Sequence, residues 1–259
     1  MIVLAVSCHP DDIEFQMAGT LLLLKAAGCQ IHYINVANGS CGTDKYPEDE
    51  IIAIRRQESQ NAAAHLGAVY HESFVKDLEV FYAQDLLRKV TALVRQVKPD
   101  VMLVLSLEDY MEDHMNSARV AVTAAFCRGM LNYATIPPES PVDKDVTIYH
   151  STPHTLTDGM RRAIIPELYV DISSVIDQKE RMLACHTSQK EWLDVSQGFD
   201  AYLQTMRDLS AAVGTLSGRY AYAEGWRRHS HVGFSACDTN PMVDILPDFV
   251  GVSVAVGSL

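Results

Sequence analysis

Basic residues are scarce in this chain: 21 Lys and Arg stand against 33 Asp and Glu in 259 residues, a formal net charge of −12. A nucleic-acid surface needs clustered positive charge, so this balance argues against one, and against anionic polymers and membrane surfaces as partners. A neutral small molecule fits better. Long apolar runs are missing too. Nothing approaches the ~20 consecutive apolar residues of a membrane span. The opening MIVLAVS is apolar but lacks a basic leader and runs straight into His9-Pro10-Asp11-Asp12, so no signal peptide is expected. The six cysteines include no C-x-x-C pair and read as reduced thiols, which points to a cytoplasmic location. No G-x-G-x-x-G turn follows the first strand, which argues against a dinucleotide cradle. No linker, repeat or low-complexity tract divides the chain. One domain over 1–259 is expected, with a helical and loop extension from about 190.

With 48% hydrophobic residues the chain can bury a sizeable core. Ile2 to Ser7 is almost wholly apolar and reads as a strand buried on both faces. A helix is predicted from about Ile13 to Ala27, stopped at Gly28, then a strand from Ile31 to Val36 and a loop Asn38-Gly39-Ser40-Cys41-Gly42. Further helices are predicted at Ile51 to Leu66, Ala83 to Val97 and Asp113 to Arg128. Strands are predicted at Val69 to Tyr70, Val101 to Leu105, Val146 to His150 and Leu168 to Asp171. Residues 132 to 145, with Pro137, Pro138 and Pro141, read as a loop or lid. A helix capped by Ser173 or Ser174 runs towards Ser188, with helical character again from Asp200 to Val213 and a turn-rich tail. Alternating strands and helices at this spacing imply an α/β fold: a Rossmann-like, doubly wound, mostly parallel sheet flanked by helices.

Ligands of such sheets gather beyond the carboxyl ends of the strands. His9-Pro10-Asp11-Asp12 lies there, and its imidazole and carboxylates are the groups a divalent ion needs. Pro10 stiffens the turn, and at a turn adjacent side chains can face one point. A pair of aspartates before a helix is more often a cap, where negative charge is favoured. The histidine directly after a buried strand reverses that preference. Glu108-Asp109-Tyr110-Met111-Glu112-Asp113-His114 follows the fourth strand and enters a helix, so the two segments are expected to be neighbours. His9, Asp12 and His114 would form three sides of a tetrahedral zinc site and leave the fourth position to water, the mark of a catalytic centre. Glu108, Asp109 and Glu112 read as partly solvated, one of them able to orient a ligand.

The stretch AVSCHPDDIEFQMAGTLLLLKAAG, with VANGSCG, IRRQESQNAAAHLGA, VKDLEVF, MEDHMNSARVAV and LYVDISSVIDQKERMLACHTSQ, resembles the LmbE-like, or PIG-L, N-acetylglucosaminyl deacetylase superfamily. Fainter similarity reaches AYAEGW near residue 225, so the resemblance covers most of the chain. It implies an LmbE-like fold and a zinc-dependent hydrolase that removes an N-acyl group, most often acetyl, from an amino sugar or its conjugate. Fe2+ or another divalent ion suits the same ligand set. It implies His9, Asp12 and His114 as metal ligands and Asp11 as general base. Arg55 and Asp77 are implied as sugar contacts, and Glu14 as a supporting acid. A homo-oligomer is compatible with the family.

One position departs from the pattern. Family members often carry H-P-D-H at the later ligand, the first His steadying the oxyanion; here the four residues are Met111-Glu112-Asp113-His114. Methionine has no hydrogen to donate. Tyr110, His154, His229 and His231 are the replacements to consider, with Tyr110 and His231 assigned to the substrate. Alternatives remain: an amidase acting on a thiol-sugar or another N-acyl amine conjugate, a non-catalytic sugar-binding protein, and a cysteine hydrolase using Cys8 or Cys41, thiols more simply read as small residues near the site.

Overall fold

The computed structural model describes residues 1–190 and 201–252. Its centre is an eight-stranded sheet in the order β3-β2-β1-β4-β5-β7-β6-β8, flanked by helices. The strands are β1 Ile2–Ser7, β2 Gln30–Asn35, β3 Val69–His71, β4 Val101–Val104, β5 Thr147–Ser151, β6 Leu168–Asp171, β7 Ala223–Arg228 and β8 Val250–Val252. The first five are parallel. β7 runs antiparallel to both β5 and β6, and β8 antiparallel to β6, so the α/β sheet is Rossmann-like at one end and mixed at the other. From β1 the chain turns one way to β2 and β3, and then returns to β4 on the other side. This reversal opens a crevice between the carboxyl ends of β1 and β4, the place where open α/β sheets bind ligands.

The helices are α1 Asp12–Gln16, α2 Ala18–Ala26, α3 Glu48–Leu66, α4 Gln84–Val97, α5 Glu112–Cys127, α6 Ile176–Leu183, α7 Ala201–Ser217 and α8 Pro241–Ile245. The single helix expected from Ile13 to Ala27 is broken at Met17, whose φ of −133° is not helical. The reason lies far away in sequence. The Glu224 carboxylate accepts hydrogen bonds from Gly19 N and Thr20 N at 2.8 and 2.7 Å, so β7 caps the new amino terminus of α2. Helix α3 begins three residues earlier than Ile51, because Glu48, Asp49 and Glu50 complement the positive end of the helix dipole.

β7 and β8 come from the region expected to be helix and loop. In β7, AEGWRR, the buried positions include a charged residue, Glu224, so the sequence shows no apolar alternation. Trp226 of this strand is fully buried. Expectations that fall on 191–200, and on 253–256 of the apolar tail, lie outside the described residues. Among the described residues no helix is long and apolar enough to cross a membrane.

Candidate active site

The turn after β1 carries the first part of the site. Asp11 sits at φ 111°, a conformation that few residues other than glycine adopt and that aspartate tolerates better than most. The turn folds Asp12 back on itself: Asp12 Oδ2 accepts Cys8 N at 3.2 Å and His9 N at 2.7 Å. Its other oxygen, Oδ1, lies 3.4 Å from His114 Nε2. His9 Nδ1 is 3.8 Å from Asp12 Oδ2, and the two imidazole centroids are 5.4 Å apart. One ligand atom each from His9, Asp12 and His114 fall within 4.8 Å of one another. The structure therefore brings together the three side chains expected to meet.

The outward atoms of this trio are engaged. His9 Nε2 is 3.2 Å from Asp113 Oδ2, which also accepts Leu78 N at 2.7 Å. His114 Nδ1 is 3.3 Å from Asp109 Oδ1, which accepts Met111 N at 3.0 Å. Asp109 was expected to be partly solvated; its side chain is fully buried. Each imidazole thus has a carboxylate on its far side, within hydrogen-bond distance for His9 and as a close charge contact for His114, which leaves the near nitrogen for a cation. Two imidazoles and a carboxylate, oriented in this way, fit a divalent ion. Cys8, His9 and Asp113 form a second group within the same 4.8 Å, sharing His9.

Burial raises the Asp11 carboxyl above its ordinary value, outweighing the nearby Arg55 guanidinium, and Asp12 adds to the rise. Burial acts on Asp12 in the same sense, but the His114 and His9 imidazoles and two backbone N–H groups overcome it and hold that carboxyl low. For His114, burial alone would favour the neutral ring; Asp12, Asp109 and Asp11 reverse this and raise it to about 9. Two adjacent carboxylates are thus pushed in opposite directions, which separates a proton acceptor from a ligand.

A cavity of about 390 Å³ opens above the trio, lined in part by Asp11, Arg55, Asp77, Tyr110, Met111 and His154. Tyr202, on α7, donates a 2.7 Å hydrogen bond to Asp11 Oδ2, and Arg55 Nη2 lies 3.6 Å from the same oxygen while donating to Pro10 O. Sequence reading missed Tyr202, one of 11 tyrosines and 191 residues away from its partner. The arginine threads the loop 38–42. A Cβ on Gly39 would lie 2.5 Å from Arg55 Cδ, and one on Gly42 2.1 Å from Arg55 Nη1. Asp77 lines the cavity, yet its oxygens already accept Gly39 N and Cys41 N at 2.7 and 2.9 Å, so it also anchors that loop.

His231 is a correction. It does not line the cavity; its imidazole is exposed and lies 3.6 Å from Asp238. His229 is also elsewhere, paired at 3.0 Å with His150. Of the histidines considered as donors, His154 alone lines the cavity. Beneath the site a buried pair, Glu14 and His186, meets at 3.1 Å and Tyr33 donates to the same carboxylate, consistent with support from below.

Residues 4–125 match the family PIG-L, GlcNAc-PI de-N-acetylase. Diacetylchitobiose deacetylase of Thermococcus kodakarensis is 28% identical over 233 residues, covering 87% of this chain and 82% of that protein. N,N'-diacetylchitobiose deacetylase from Pyrococcus horikoshii has the same fold, with a TM-score of 0.75 at 21% identity over 93% of this chain and 88% of that one. The match to the PIG-L, or LmbE-like, family thus lies in residues 4–125, which hold most of β1, all of β2 to β4 and the whole trio. The relatives are not all deacetylases: 4-oxalmesaconate hydratase of Pseudomonas putida is 26% identical over 86% of each chain.

Proposed function

We propose that this protein is a divalent-metal hydrolase that removes an N-acetyl group from an uncharged amino sugar or its conjugate. The observation that carries the reading is the trio His9, Asp12 and His114, meeting on the floor of a cavity beside a second carboxylate, Asp11, that is buried and biased towards holding a proton. When bound, a zinc-like dication supplies Lewis acidity and lowers the pKa of a coordinated water from about 15.7 towards ~7. Asp11 then takes the proton of the attacking water and returns it to the amine as the carbon–nitrogen bond breaks. Tyr202 and Arg55 hold one Asp11 oxygen in place for this exchange.

Charge favours an amide over the polycarboxylate of the hydratase relative. Three carboxylates, Asp11, Asp12 and Asp77, line the cavity. Arg55 is the one Lys or Arg among the described lining residues, and Asp11 and Pro10 O already engage it. A bound dication together with Arg55 only balances those carboxylates. No positive charge is left over to hold a polyanion in a low-dielectric pocket.

The test is metal analysis of the purified protein beside an acetate-release screen over free and conjugated N-acetylhexosamines, with a thiol-sugar conjugate and an oxalmesaconate-type acid as comparison substrates. Asp11→Asn should keep the metal and lose turnover by about a hundredfold or more, whereas His9→Ala and His114→Ala should lose the metal. Sugar binding without acetate release would instead identify a sugar-binding protein. Hydration of the acid with no amide cleavage would make it a hydratase.

A further inference from the structure

Chemistry at an amide carbonyl places negative charge on the carbonyl oxygen, and catalysis gains most from a donor already aimed at that position. Met111 lines the cavity where such a donor could stand, and its thioether has no hydrogen to give. Tyr110 is half exposed at the cavity rim, edge-on to His114.

His154 lies on the segment after β5. Because β5 is parallel to β4, that segment leaves the sheet at the same edge as 9–12 and 109–114. The segment is fixed on both sides of the histidine: Thr152 N donates to Gly225 O at 3.0 Å and Leu156 N to Pro153 O at 2.9 Å. Further along, Gly159 comes within 3.5 Å of Asp109 O, measured from where a Cβ would stand, so the segment packs against the loop that supports His114.

The His154 imidazole stands edge-on to Phe15, centroids 5.1 Å apart, and lines the cavity. Among the described residues it makes no hydrogen bond. Other enclosed histidines are engaged: His150 with Leu105 O and His229, His32 with His71, His186 with Glu14. The ring is partly buried and its nitrogens are not sealed off, so they are open to a ligand or water in the cavity that the residue lines. Burial also lowers its pKa, so the ring is held neutral, with one N–H to donate.

We propose that His154 is the catalytic donor to the carbonyl oxygen, in the role that Met111 cannot fill. The proposal rests on the amide-hydrolase reading above. The ring gives no proton away; it donates one hydrogen bond that strengthens as the oxygen becomes negative, while the proton traffic stays with Asp11.

The experiment compares wild type, His154→Ala and His154→Gln, all metal-loaded and with metal content measured. The alanine variant should lose about a hundredfold in kcat with KM within about twofold, and the glutamine variant, which restores an N–H, should recover part of it. Calorimetric titration supplies a second readout independent of turnover. Methylphosphonate, whose tetrahedral oxygens mimic the addition geometry, should bind His154→Ala at least about tenfold more weakly, while planar acetate should change little. Unchanged kcat, a loss confined to KM, loss of metal, or equal weakening of both anions would overturn the assignment. If wild type cleaves no amide, the hydrolase reading fails on its own, and the anion titration still reports whether His154 faces the ligand.

Discussion

Asp11 has neighbours that pull its proton affinity in opposing directions, and Tyr202 is the one whose removal is cleanest. The phenol donates 2.7 Å to Asp11 Oδ2 and so favours the ionised carboxylate. Tyr202→Phe keeps the ring and its edge contact with Phe15 but deletes that donor. A hydrogen bond to a charged group is worth about 1.5–3 kcal/mol, so turnover should fall about tenfold or more. The Asp11 carboxyl should rise further, which moves the acid limb of the pH–rate profile to higher pH. A profile whose limb stays in place would separate Tyr202 from the base. At this scale the legible residues were those next to strand ends. His9 and Asp12 follow β1 directly, His114 sits in the first turn of the helix after β4, and the strand order makes them neighbours. Tyr202 and the Asp113 behind His9 were not legible, since their contacts span 191 and 104 residues and no local pattern marks them. His231 misled because Arg227-Arg228-His229-Ser230-His231 looks chemically rich in one dimension. In three it is the end of β7 and the turn after it, closed by Asp238.

β1 and β4 were readable because parallel strands covered on both faces are apolar runs, and α3 because it carries a stop signal, Gly67. β7 was not, because Glu224, one of its buried positions, is held in an ion pair. Glu224 Oε1 meets Lys179 Nζ of α6 at 2.7 Å, with side-chain exposures of 3% and 1%, while both its oxygens cap α2. One carboxylate therefore ties a strand to two helices, one of which follows the turn that presents Asp11 and Asp12. Glu224→Ala strands a buried ammonium and two helix-terminal N–H groups and should destabilise the protein by about 3–5 kcal/mol. Chemical denaturation measures this. Adding Lys179→Met to it should recover part of the loss, because the unpaired charge goes while the uncapped N–H groups stay. A Glu224→Ala loss within error of an exposed carboxylate's would show that β7 does not depend on this junction.

Across the whole molecule, acid sensitivity should come from histidines folded in their neutral form. Burial lowers both His150 and His71 to about 4, with a neighbouring imidazole adding to each. His150 shows why. Its Nδ1 donates to Leu105 O at 2.8 Å, so its Nε2 is free to accept from His229 Nδ1 at 3.0 Å. Protonation would set two N–H groups against each other in the space between β5 and the end of β7. A folded-state pKa below the unfolded value of about 6.5 means that the unfolded chain binds protons the folded chain refuses. The stability tied to His150 is therefore complete above about 6.5, and declines as the pH falls towards 4. For this ring the full effect is at most about 3 kcal/mol. His71 contributes in the same direction but less, being more exposed. Thermal unfolding followed from pH 7 to 4 should show the midpoint falling through that window. In His150→Gln, which retains a donor for Leu105 O but does not titrate, the fall should be shallower. A variant curve parallel to wild type would place the acid-labile groups elsewhere, with the carboxylates as the next to test.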